Sequence, residues 1–204
     1  CADQASASSP MFELGVIDIR STRAILTALT DRRVPAASVL PVANRYRKRS
    51  PMLSLEDARG ADLVIEAVTE DFAIKKQIFQ QLDAVAPPHA ILASNTSSIS
   101  ITGIAAVTKR PGQVIGMHFM NPVPVMELVE MIRGIATEDV TFVRAREFVE
   151  TLGKTTAVSE DFPAFMVNRV LLPMINEAVY TLYEGVGSVD AIDTAIRLGA
   201  HHPM

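Results

Sequence analysis

The chain has 204 residues, enough for one large domain or one and a half of ordinary size. Hydrophobic residues make up 49% and charged residues 21%, an ordinary globular balance, and a net charge of -4 gives no reason to expect nucleic acid as a partner. One cysteine excludes a disulfide framework, no run of 18 apolar residues offers a membrane span, and the first ten residues lack the charged-then-apolar order of a secretory signal.

In chain order, residues 1–10 read as a polar leader, and both ends of the sequence read as cut. Val16 to Ile19 is a short apolar run with strand character. Ser21-Thr22 caps a predicted helix through Ala24, Ile25, Ala28 and Leu29. Pro35, Pro41 and Pro51 interrupt the next stretch, which holds the basic cluster Arg45 to Arg49; its plain reading is a solvated loop, its functional reading a phosphate clamp.

From Ala61 the pattern sharpens. Asp62 to Val68 is an apolar run broken by acids, as in a strand buried on both faces. Asp71 caps a predicted helix with Ile74, Ile78, Leu82 and Val85 on one stripe, ended by Pro87-Pro88. Ala90 to Ala93 is the next strand, followed by the polar knot Asn95-Thr96-Ser97-Ser98 and a short helix from Ile99 to Val107. Strands are predicted at Val114 to Met117 and Val125 to Ile132, joined by the turn Asn121-Pro122-Val123-Pro124. A helix from Thr137 to Leu152, stopped by Gly153, leads to a last strand at Thr155 to Ser159. This alternation argues for an α/β fold with a doubly wound, mostly parallel sheet.

After Ser159 the period changes. Asp161 with Pro163 reads as the N-cap and first turn of a long apolar helix from Phe165 to Leu182, with Pro173 inside it as a kink or a lost hydrogen bond. Gly185 and Gly187 end it, and Ser188 opens another helix through Ile192, Ala195 and Leu198. The domain boundary therefore falls near residue 160, between an α/β part, 1–160, and a truncated helical domain, 161–204. The wide apolar faces of these helices call for partners.

Three polar residues stand at or within the apolar segments: Ser97, His118 and Glu130. His118 and Glu130 are equidistant from Pro124, so antiparallel pairing around that turn makes them cross-strand neighbours. Singly, each has a plain reading: a satisfied core histidine, a helix-capping serine, a strand-edge charge. Asn168, inside an apolar helix, demands a partner for its amide. His201 and His202 read as turn residues, with no acidic or cysteine partners for a metal.

The stretches IEAVTED, ASNTSSISIT, GMHFMNPVPVMELVE, LGK and DFPAFMVNRVLLPMINEA, in this order, resemble the L-3-hydroxyacyl-CoA dehydrogenase family, most of all its 3-hydroxybutyryl-CoA members, over about 140 residues. The resemblance implies NAD-dependent, reversible oxidation of a 3-hydroxyacyl-CoA to the 3-ketoacyl-CoA. It implies His118 as general base, Glu130 as its orienting carboxylate, and Ser97 and Asn168 as hydrogen-bonding groups for the substrate. It implies Glu70, Lys75, Ser97 and Asn121 as NAD contacts, a site between two domains, a homodimer, and a cytoplasmic location in a bacterium or else the mitochondrial matrix. The sequence departs from the family in one major respect. Gly15 and Gly60 are the only glycines in the first 100 residues, so the GxGxxG turn that grips the pyrophosphate is absent, and Asp18 is left as the candidate ribose acid. The resemblance thus implies that 1–160 is a partial dinucleotide-binding domain with a Rossmann-like sheet incomplete at its N-terminal part, and 161–204 the start of the helical substrate and dimerisation domain. Ala164 stands where the family usually has glycine. Two other readings stay open: an inactive fragment or pseudoenzyme that at most binds acyl-CoA or a partner subunit, and a related hydroxyacid or sugar-acid dehydrogenase, against which NPVPVMELVE speaks.

Overall fold

The computed structural model describes residues 55–202. The strand at Val16, the helix after Ser21, Asp18 and the basic cluster at 45–49 lie outside the described residues. The chain divides into two compact units, residues 1–163 and 164–204.

The first unit holds a five-stranded sheet in the order β1 (Leu63–Glu66), β2 (Ile91–Ser94), β3 (Val114–Phe119), β4 (Leu128–Arg133), β5 (Thr155–Glu160). Every pairing is parallel except β3 with β4. The reason for the exception is local: the chain turns back within the Asn121–Pro124 corner, where the amides of Val125 and Met126 both donate to the Pro122 carbonyl. A parallel pair instead needs a crossover. Those crossovers are α1 (Phe72–Val85), α2 (Ile101–Ala105) and α3 (Asp139–Thr151). β4 begins three residues later than the apolar run suggests, because residues 125–127 are taken up by the turn.

Strand alternation divides the sheet's two faces. Leu63, Ile65, Ile91, Ala93, Ile115, Met117, Val129 and Met131 form one buried face with Ala145 and Val149 of α3. The other face carries Gly116 and Ile132, and here α2 packs. A Cβ on Gly116 would stand 2.7 Å from the Ile132 Cβ and 2.9 Å from the Ile101 Cδ1, so the helix sits this close only above a glycine. By the same parity His118 and Glu130 belong to the α2 face.

Asp71 caps α1 as the sequence leads one to expect, accepting from the Ile74 amide at 2.9 Å. Asp161 does not cap the helix after it. Its carboxylate turns to the start of α2, and α4 (Val167–Tyr183) begins without a side-chain cap. In the second unit α4 runs continuously past Pro173 and is followed by α5 (Val189–Thr194), capped by Ser188. No side chain of α4 is buried, and Val170, Leu172 and Tyr183 are largely open. No described helix is long and apolar enough to cross a membrane.

Candidate active site

The carboxyl ends of β1, β2 and β3 point the same way, and the polar residues gather at that edge. His118, the fifth residue of β3, lies directly opposite Glu130 in the β3–β4 ladder. Its Nδ1 is 2.8 Å from the Glu130 Oε2, with Glu130 fully buried and His118 nearly so. A carboxylate accepts only, so Nδ1 carries the proton in this contact and Nε2 is the basic nitrogen of the neutral ring. The carboxylate thereby selects the tautomer and favours the imidazolium once it forms.

The polar knot follows β2. Asn95 ties it to β3, its Oδ1 accepting from the Phe119 amide at 2.9 Å. Glu70 holds the next turn: its Oε1 accepts from the Thr96 hydroxyl at 2.6 Å, the Ser97 and Ser98 amides at 2.8 Å each, and the Ser98 hydroxyl at 2.9 Å. Burial pushes the Glu70 carboxyl upward and is the largest single influence. The hydrogen bonds from Thr96, Ser98 and Ser97, with the Lys75 ammonium, outweigh it and leave the group below its ordinary value.

Beneath this lies a buried polar network that sequence reasoning missed. Lys75 and Glu66 are both closed off from solvent, and the Lys75 Nζ donates to the two Glu66 oxygens at 2.7 and 2.9 Å. Glu66 also accepts from the Ser94 hydroxyl and the Val68 amide, both at 2.7 Å. Lys75 is thus held by Glu66, and its Nζ also stands 3.9 Å from the Glu70 Oε2 at the carboxyl edge. The signal available was an acid inside an apolar run, with a lysine on the buried stripe of the next helix.

Two further residues brace the site. The Asp161 carboxylate accepts from the Ser100 hydroxyl and the Thr102 amide at 2.7 Å and the Ile101 amide at 2.9 Å. The Lys154 Nζ donates to the Val123 and Met126 carbonyls at 2.7 Å each, holding the turn between β3 and β4. Burial lowers the Lys154 amine below its ordinary value, against the opposing charge of Glu127.

The structure thus brings Glu70, Ser97 and Lys75 together, and separately pairs His118 with Glu130. Asn121 is exposed, two residues beyond the end of β3. Asn168 is half-buried at the second position of α4, in the second unit. Among the described residues no group of three His, Cys, Asp or Glu is placed to hold a metal ion.

Fold and site together define a class: a doubly wound α/β protein of the dinucleotide-binding type, with a histidine–carboxylate pair beside its carboxyl edge. Residues 22–162 match the model of the 3-hydroxyacyl-CoA dehydrogenase NAD-binding domain, and residues 165–204 that family's C-terminal domain. The chain belongs to the 3-hydroxyacyl-CoA dehydrogenase family. It is 67% identical over 150 residues to a 3-hydroxybutyryl-CoA dehydrogenase of Bradyrhizobium diazoefficiens, covering 74% of this chain and 51% of that protein. Against mouse mitochondrial hydroxyacyl-coenzyme A dehydrogenase the identity is 48% over 145 residues, 71% of this chain and 46% of the relative. The crystal structure of (S)-3-hydroxybutyryl-CoA dehydrogenase from Ralstonia eutropha superposes with a TM-score of 0.74 at 45% identity, over 83% of this chain and 59% of that one. The chain spans about half the length of the curated relatives it matches.

Proposed function

We propose that the chain carries the acid–base centre of an NAD-dependent 3-hydroxyacyl-CoA dehydrogenase, interconverting a 3-hydroxyacyl-CoA and its 3-ketoacyl-CoA. The observation that carries this reading is the 2.8 Å contact between His118 and Glu130. In the oxidative direction the His118 Nε2 takes the proton of the substrate hydroxyl. Glu130 keeps the ring in the tautomer that leaves Nε2 basic and stabilises the charge that results. Imidazole serves both directions, as the base when neutral and as the acid that returns the proton once it is protonated. Ser97 and Asn168 donate to the substrate oxygen and the thioester carbonyl.

The carboxyl edge fits the nicotinamide half of NAD in its donor set: Ser97 and Asn121, together with Glu70, stand where open parallel sheets bind their ligands. NAD supplies the hydride chemistry when bound. Lys75, held beside Glu70 by Glu66, completes the set of proposed NAD contacts. We assign residues 1–160 to the dinucleotide-binding domain and 161–204 to the helical substrate domain. A homodimer and a bacterial cytoplasmic setting complete the reading.

One observation favours a second reading, an inactive polypeptide that at most binds acyl-CoA or a partner subunit: the sequence has no GxGxxG turn. NADH consumption with acetoacetyl-CoA separates the two. Turnover by this chain that vanishes in His118→Gln supports the dehydrogenase. Folded protein with no turnover in either form supports the second.

A further inference from the structure

We propose that Asp161 is a positioning residue for Ser97, acting with Glu70 as a two-carboxylate clamp on the segment from Thr96 to Thr102. This rests on the reading of Ser97 as a substrate- and nicotinamide-side group.

The segment joins β2 to α2 and has no ladder or helix partners for its own amides over most of its length. Two carboxylates supply most of them, while the Thr96 hydroxyl takes the Ile99 amide at 2.9 Å. Glu70, on the β1–α1 connection, takes the amides of Ser97 and Ser98 and the hydroxyls of Thr96 and Ser98. Asp161, one residue past the end of β5, takes the amides of Ile101 and Thr102 and the Ser100 hydroxyl. Ser97 and Ser98 thus hang between two fixed points that come from well-separated parts of the sequence, one before β2 and one after β5. Glu70 by itself fixes the Ser97 amide but leaves the segment able to pivot about that grip. The second grip removes the pivot and sets the direction in which the chain leaves the turn. Carboxylates suit this task because each accepts several N–H and O–H bonds, and charge-assisted bonds of this kind are about twice as strong as neutral ones. Ser100 adds a local cap on the Gly103 amide at 3.1 Å, so Asp161 is not required merely to start the helix.

Amide hydrogen exchange by NMR on this chain tests the clamp, with Asp161→Ala and Asp161→Asn compared with the parent. The expected result is faster exchange at Ser97 and Ser98, which Asp161 does not touch, by about tenfold, as loss of a capping interaction implies. Asparagine keeps one acceptor oxygen and should recover part of the protection. If the alanine form fails to fold, the asparagine form alone carries the comparison. Acceleration confined to Ile101 and Thr102 would make Asp161 a local cap and overturn the proposal. NADH affinity, read by nicotinamide fluorescence at unchanged melting temperature, should weaken several-fold in the alanine variant and return partly with asparagine. Unchanged affinity beside loosened amides would overturn the positioning role. A parent chain that binds no NADH at all counts against the cofactor reading instead, and the exchange rates then decide the clamp.

Discussion

His118 and Glu130 are opposed residues of antiparallel β3 and β4, and the bond between them, 2.8 Å from Nδ1 to Oε2, is buried on the face that α2 covers. Glu130→Gln keeps the shape but offers the ring either an N–H or an uncharged oxygen. The tautomer is then no longer selected and the imidazolium loses its counter-charge. The expected loss in kcat is on the order of 10²- to 10⁴-fold. NADH consumption with acetoacetyl-CoA measures it, with thermal unfolding as the control for the fold. A loss below tenfold would remove the orienting role from Glu130.

Lys75→Met strands Glu66 as a fully buried carboxylate with only the Ser94 hydroxyl and the Val68 amide for company. Breaking a buried pair from one side costs about 3–5 kcal/mol, far more than the pair is worth against an apolar substitute. Adding Glu66→Gln to the same chain should recover much of the loss. A double-mutant cycle in urea reads both numbers.

Ala164 adopts a φ of 68°, in the left-handed region. That conformation costs a residue with a Cβ about 1–2 kcal/mol, while glycine gives up about 0.5–1 kcal/mol in unfolded-state entropy. Ala164→Gly is therefore expected to be stabilising, by up to about 1 kcal/mol, and to raise the urea midpoint. A drop in the midpoint would show that the alanine methyl contributes more in contacts than its backbone costs.

Acid should unfold the first unit partly through its clamping carboxylates. Burial, the largest influence, pushes the Asp161 carboxyl up, but hydrogen bonds from Thr102, Ser100 and Ile101 hold it below its ordinary value of 3.8. A carboxyl depressed by folding contributes stability that is fully present above its unfolded pKa. That contribution is lost as pH falls through the folded value. Glu70, below its ordinary 4.5, acts in the same sense. Melting temperature should thus fall on acidification below about pH 4, and the fall should be shallower in Asp161→Asn, which has no proton to take up. Parallel curves for the two proteins would take Asp161 out of the acid response.

How far the site was legible depends on the distance over which its causes act. The His118–Glu130 pairing was readable because a hairpin's register follows from its own turn, and Pro124 lies midway between them. Asp71 was readable as a cap because its partner, the Ile74 amide, is three residues on. Asp161 was misread for the converse reason. A capping residue before an apolar helix normally serves that helix, yet its partners here lie 59 to 61 residues earlier. The Glu66–Lys75–Ser94 network left only an oddity in the pattern, acids in an apolar strand, with nothing to say which base would meet them. The long apolar helix read from Phe165 to Leu182 runs instead from Val167 to Tyr183, because Ala164 and Phe165 take positive φ before it, and periodicity carries no information about what covers its face.

By itself, then, the sequence determined, among the described residues, the alternation of strand and helix, the caps at Asp71 and Ser188 and the hairpin of β3 and β4, since each follows from side-chain period and turn chemistry within about a dozen residues. The motif residues, in their order, were also enough to indicate the family. Only the tertiary structure decided which polar groups share the carboxyl edge. Parallel strands meet through crossovers, and the neighbours they acquire depend on how the whole sheet stacks. The commitment of Lys75 to Glu66, and the seating of the Ser97 segment between Glu70 and Asp161, were settled there. A buried charge and an unpaired amide each need a partner, and packing determines which one lies within reach.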